Sequence, residues 1–234
     1  MDKEVKNQEK VVGILGGMGP EATLELFRRI LKRTPAKSDQ EHLRIIIDNN
    51  PKIPDRTKAI LHGGEDPLPL LKSTAQNLEK AGASFILIPC NSAHYFLGKI
   101  REAVNIPIID MLGETVARIK EQRVGLLAAD GTAKSGLYQK YCQERGIEVL
   151  NPHNSEQEIV MKLIYEIKSG EISFEGKDRL IKVADGLIKR GAKAIIVGCT
   201  ELSLLLKEGD IQVTLYDPLD ILAQRAVELA RGSI

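Results

Sequence analysis

Cys90 and Cys199 have matching surroundings. Each ends a short apolar run introduced by a Gly-Ala pair, Gly82-Ala83 in one case and Gly191-Ala192 in the other, at a common offset of 109 residues. Each is followed by small polar residues, Asn91-Ser92 and Thr200-Glu201. A cysteine between a buried strand and a helix lies near free helix amides, and the positive end of the helix dipole lowers a thiol pKa from about 8.5 toward neutrality. The competing reading is a buried structural cysteine, a common fate of free thiols. The recurrence at equivalent positions favours chemistry. Two opposed thiols can move protons on both faces of one carbon, one removing a proton as thiolate while the other returns one as thiol. A weakly acidic C–H also needs amides and cations that stabilise the carbanion. Cys142 lies within Tyr138–Arg145, which reads as helix, has no such counterpart and is assigned to packing.

Other polar residues have weaker claims. Arg56 ends the loop Asp48-Asn49-Asn50-Pro51-Lys52-Ile53-Pro54-Asp55-Arg56, which its two prolines stiffen; it suits bidentate carboxylate binding, or is a solvated loop arginine. His94, four residues past Cys90, fits helix packing or capping better than assistance to the thiol. Lys168 follows a helix with apolar positions Ile159, Leu163 and Ile167, and its default reading is a solvated helix end. The loop Gly16-Gly17-Met18-Gly19-Pro20-Glu21-Ala22 loosely fits a dinucleotide fingerprint, but Asp48, which ends the next strand, lies 31 residues beyond Gly17 rather than about 20. The loop reads instead as a close-packed, anion-facing turn.

These residues must be carried by a duplicated α/β framework. Strands are expected at Val11–Leu15, Leu43–Asp48, Phe85–Ile88, Pro107–Asp110, Val124–Leu127, Ala194–Val197 and Val213–Tyr216, with helical patterns between them, such as Glu21–Lys32, Leu68–Ala81 and Glu156–Ile167. The alternation predicts parallel sheets with crossover helices. Val12-Gly13-Ile14-Leu15 recurs as Val124-Gly125-Leu126-Leu127, and Pro107-Ile108-Ile109-Asp110 as Thr214-Leu215-Tyr216-Asp217, at offsets of 112 and 107 residues. Together with the cysteine strands these give three matches in order, a repeat of about 110 residues. The expected fold is two pseudo-symmetric parallel-sheet α/β domains, residues 1–110 plus 218–234 (Cys90) and 111–217 (Cys199). Ligands of open α/β sheets bind beyond the carboxyl ends of the strands, so both thiols would face one cleft between the domains.

The bulk numbers exclude several classes. Among 234 residues, 33 basic against 32 acidic side chains leave a net charge of +1, and no basic stripe points to a nucleic-acid partner. No apolar run approaches the roughly 20 residues of a membrane helix. Met1 to Lys10 are polar and charged, unlike a signal peptide, so a frayed terminus and a cytoplasmic location are expected. Three cysteines without a C-x-x-C pair argue against a disulfide framework and against structural zinc.

The motifs Gly13-Ile14-Leu15-Gly16-Gly17-Met18-Gly19-Pro20, Asn49-Asn50-Pro51-Lys52-Ile53-Pro54-Asp55-Arg56, Pro89-Cys90-Asn91-Ser92-Ala93-His94 and Gly198-Cys199-Thr200-Glu201 resemble the aspartate/glutamate racemase superfamily, and most closely its cofactor-independent aspartate racemases. The resemblance covers nearly all of the chain beyond Lys10. It implies two similar α/β domains with the site between them, catalysis by Cys90 and Cys199, no cofactor and no metal. It matches Arg56 and Lys168 to positions that bind the substrate carboxylates. Met18, Asn50, Asn91, Ser92, Thr132 and Thr200 match donors around the substrate; the family often has Thr where this chain has Ser92, and the hydroxyl is kept. The implied substrate is a dicarboxylic amino acid, and a homodimer is what the family suggests. Glutamate or broader specificity, a binding homologue without turnover, and another carbanion enzyme of the superfamily are the alternatives.

Overall fold

The computed structural model describes residues 10–232. Two separate parallel sheets are present. The first has the order β2-β1-β3, from β1 (Val12–Gly16), β2 (Ile45–Asn49) and β3 (Phe85–Leu87). The second has the order β5-β4-β6-β7, from β4 (Arg123–Ala128), β5 (Glu148–Leu150), β6 (Ala194–Gly198) and β7 (Thr214–Tyr216). The helices are α1 (Pro20–Arg33), α2 (Arg56–Leu61), α3 (Leu68–Lys80), α4 (Leu97–Arg101), α5 (Met111–Arg118), α6 (Asp130–Ala133), α7 (Leu137–Gln143), α8 (Asn154–Lys168), α9 (Phe174–Lys189) and α10 (Pro218–Arg231). The chain is therefore two parallel-sheet α/β domains, as the alternating pattern predicts.

Each central strand is apolar on both faces because helices cover both sides of its sheet; β1, β3 and β6 are buried throughout. Two expectations need correction. Pro107–Asp110 forms no strand: Ile108 makes a single parallel bridge to Ile86, and Asp110 turns away to cap α5 through the Gly113 amide at 3.0 Å. The short β5 is not apparent in the apolar pattern. It is an edge strand whose residues are exposed or half-buried, so it carries no run of buried positions. With β5 counted and the Ile108 bridge set opposite β7, both sheets share one strand order. Asp217, equivalent to Asp110, likewise caps its helix, accepting from the Leu219 and Asp220 amides.

Three apolar clusters fill the interior. One lies under the first sheet, around Leu15, Leu71, Ile86 and Ile100. A second lies under the other sheet, around Leu127, Leu163, Leu187 and Ile195. The third draws on both domains, joining Val12, Ile14 and Leu26 to Val124, Leu126 and Ile196 beneath α5 and α10.

Candidate active site

The two cysteine loops leave β3 and β6 and meet at the facing ends of the sheets. Cys90 and Cys199, 6% and 7% exposed, line a single cavity of about 20 Å³ together with Met18, Arg56, Asn91, Ser92, Lys168 and Thr200. That is room for about one water molecule. A wider cleft of about 280 Å³ adjoins it, sharing Asp55, Arg56, Lys168 and Glu201 and running out past Gly17, Pro51 and Ile167.

The helices expected after the cysteines are short 3₁₀ turns, Ser92–Phe96 and Leu202–Leu204. The expected lowering of the thiol pKa by a helix dipole fails at Cys199. Burial pushes this thiol well above its ordinary value, and the Glu201 carboxylate adds to the effect. The Cys199 thiol donates to Glu201 Oε2 at 3.0 Å. A one-turn 3₁₀ segment is too small to offset a neighbouring buried carboxylate.

Arg56 is buried, 8% exposed, at the first position of α2. Its Nη1 donates to the Ile53 and Pro54 carbonyls at 3.0 and 2.9 Å, and its Nη2 reaches the Met18 carbonyl at 3.4 Å. Its Nε has no partner, and among the described residues no carboxylate pairs with it. A buried, unpaired guanidinium is costly unless an anion arrives. The proline loop supplies the carbonyls that hold it, so the solvated reading of Arg56 does not apply. Lys168, at the end of α8, lies 4.0 Å from Glu201 Oε1. Burial works against its charge, but Glu201 and Cys199 outweigh burial and hold the pKa above the usual lysine value. Glu201 is 3% exposed, and its Oε1 accepts no hydrogen bond.

The remaining residues divide clearly. Asn91 lines the cavity with its Nδ2 buried and unpaired. The Ser92 hydroxyl meets the Thr132 hydroxyl at 3.1 Å across the domains, and the Thr200 hydroxyl donates to the Pro89 carbonyl at 3.2 Å. Thr132 therefore stands behind Ser92 rather than on the cavity wall. Asn50 is also not on the wall: its Nδ2 donates to Thr74 Oγ1 and its Oδ1 accepts from the Lys52 amide. Its backbone packs on Gly17, which has φ +97°, and a Cβ there would stand 2.3 Å from the Asn50 carbonyl carbon. The Gly17 amide donates to Thr23 Oγ1, so the glycine turn is closed in on the protein rather than open to a phosphate. His94 is fully enclosed: its Nε2 accepts from the Met111 amide at 3.1 Å, which leaves Nδ1–H to donate to the Cys90 carbonyl at 2.9 Å. Burial holds its pKa below the ordinary value, in keeping with a packing role. Among the described residues no group of His, Cys, Asp and Glu has the arrangement to hold a metal.

Glu201 was visible in the sequence only as part of a motif, and nothing there marked it as a partner of both Cys199 and Lys168. The signal that could have found it is its position two residues past a paired cysteine, where Asp or Glu is seldom buried without a partner.

Both thiols and two cations thus meet at one cleft between two parallel-sheet domains. The sequence profile of the Asp/Glu/Hydantoin racemase family matches residues 15–226, and the chain belongs to this family of amino-acid racemases. It is 28% identical over 232 residues to the broad specificity amino-acid racemase RacX of Bacillus subtilis, covering 93% of this chain and 96% of that protein. Its fold superposes on Picrophilus torridus aspartate racemase with a TM-score of 0.82 at 29% identity, covering 95% of this chain and 94% of the other. The glutamate racemase of Aquifex pyrophilus is 27% identical over 147 residues, 58% of this chain and 55% of that enzyme.

Proposed function

We propose that the chain interconverts L- and D-aspartate without a cofactor, using Cys90 and Cys199 as opposed base and acid. The observation that carries this reading is one cavity walled by both thiols and by a buried guanidinium that lacks an anionic partner. One substrate carboxylate takes the free edge of Arg56, and the other takes Lys168. The α-ammonium fits Glu201 Oε1, which accepts no hydrogen bond, and the Asn91 Nδ2 is a further donor for a carboxylate oxygen. Each turnover balances: one thiolate takes the α-proton and becomes a thiol, while the opposite thiol gives its proton to the other face and becomes a thiolate. Burial and the Glu201 carboxylate hold the Cys199 pKa above its ordinary value, which favours the thiol form that donates. Reduced thiols suit the expected cytoplasmic setting.

The test is kcat/KM for racemisation of aspartate, glutamate, alanine and lysine. Aspartate should lead. Glutamate, one methylene longer, would shift the α-carbon off the line between the thiols, and a displacement of about 1 Å can cost about a hundredfold. The Picrophilus relative supports aspartate, and RacX supports the broader alternative. A preference for a neutral or basic amino acid would refute the aspartate assignment.

A further inference from the structure

Tyr138 touches both half-sites from behind. It is fully buried on α7. Its hydroxyl donates to Asn91 Oδ1 at 2.8 Å, and Asn91 is the residue after Cys90. Its ring runs beneath Gly198, the residue before Cys199: a Cβ built on Gly198 would stand 3.2 Å from Tyr138 Cε2. One aromatic side chain from the second domain thus contacts the neighbour of each cysteine.

The hydroxyl is the informative part. A phenol taken out of water needs a hydrogen-bond partner, whereas phenylalanine would fill the same space without that demand. An asparagine amide also has two dissimilar ends. With Oδ1 turned to Tyr138, the other end is the Nδ2 donor, which is buried, unpaired and carried by a residue of the cavity wall. A donor held without a protein acceptor is set for an acceptor that arrives with the ligand. We infer that Tyr138 is a positioning residue: it fixes the Asn91 amide with Nδ2 toward the substrate carboxylate, and it ties the Cys90 loop to the strand that carries Cys199. The inference rests on the racemase reading for its consequence but not for its geometry.

The test uses the full chain and Tyr138→Phe, which keeps the ring beneath Gly198. Racemisation should fall about tenfold in kcat/KM, with kcat falling too, because a donor that strengthens its bond in the transition state is misaligned. A merely structural loss would add to any other change, so the decisive comparison is a double-mutant cycle. In an Asn91→Ala background, Tyr138→Phe should cost less than about twofold. An equal cost in both backgrounds would overturn the inference. A second measurement is independent of turnover. In protein labelled with ¹⁵N-asparagine, the Asn91 side-chain amide, identified by its loss in Asn91→Ala, should give one Nδ2 pair that shifts or doubles in Tyr138→Phe. An unchanged pair would also overturn it. If wild type racemises nothing, the functional reading fails while the amide spectrum still decides the role of Tyr138.

Discussion

The two cysteine loops descend from the same repeat and hold their thiols by the same plan, but with different chemistry. In each, the fourth residue past the cysteine tethers the 3₁₀ turn to the start of the Asp-capped helix that follows. In the first domain this residue is His94, bonded to the Met111 amide and the Cys90 carbonyl. In the second it is Ser203, whose hydroxyl donates to Asp217 Oδ1 at 2.8 Å, while Arg29 Nη2 donates to its carbonyl at 3.3 Å. The first tether is neutral and the second is built of charges. The second residue past the cysteine differs in the same sense, Ser92 in one loop and Glu201 in the other. The difference teaches that equivalent places in a repeat do not make equivalent thiols: Cys199 has a carboxylate partner that raises its pKa, and the matching position in the other loop is a serine.

The strongest way to break the comparison is to remove each thiol. Cys90→Ala and Cys199→Ala should each lower racemisation by about a thousandfold or more, whereas Cys142→Ala should keep near wild-type activity. One catalytic variant that still racemised normally would show that the loops are not an acid–base pair. Next in size is the cation between them. Arg56→Leu should cost about 2–5 kcal/mol in kcat/KM for aspartate if the carboxylate pair is well buried, and Arg56→Lys should recover only part of it because the fork is lost. Unchanged aspartate kinetics in Arg56→Leu would assign the buried guanidinium to structure alone.

The asymmetry itself is sharpened by Glu201→Gln. The carboxylate raises the Cys199 pKa, so neutralising it should lower that pKa. Alkylation of Cys199 at a fixed pH near 8, read by peptide mass spectrometry, should then speed up, and kcat/KM should fall about tenfold to a hundredfold as the ammonium loses its anionic partner. An alkylation rate equal to that of wild type would mean that burial alone sets the thiol. The smallest effect concerns His94. Its folded pKa lies below the unfolded value near 6.5, so the unfolded chain binds the proton more readily. The stability this neutral tether gives is present above about pH 6.5 and is lost as pH falls toward the folded pKa. Melting temperature should drop by a few degrees between pH 7 and pH 5, and less in His94→Gln. Equal acid slopes for the two proteins would remove His94 from that account.

Much of this was legible in the sequence because the signals were local. Apolar runs such as Phe85–Ile88 and Ala194–Val197 marked the central strands, and the recurrence of Gly-Ala before each cysteine run paired the thiols. What was not legible depended on contacts between distant segments. Glu148–Leu150 is a strand only because β4 lies beside it. The end of Pro107–Asp110 was drawn off to cap α5. The thiol of Cys199 was misjudged because the sequence shows that Glu201 is near but not that it is buried and turned onto the sulfur. Arg56 could not be told from a surface arginine until the proline loop closed its carbonyls around it.

The apolar cluster shared by the two domains has a consequence for the chain as a material. Val12, Ile14 and Leu26 from one domain and Val124, Leu126 and Ile196 from the other complete a single interior. A cut between β3 and β4 would leave each fragment with a bare apolar face. At about 25 cal/mol for each Å² returned to water, each piece would lose part of the burial that stabilises it. The repeat that divides the sequence in two should therefore not divide the melting curve: with one shared interior, a single calorimetric transition is the expected outcome, and two separate transitions would show that the domains unfold independently.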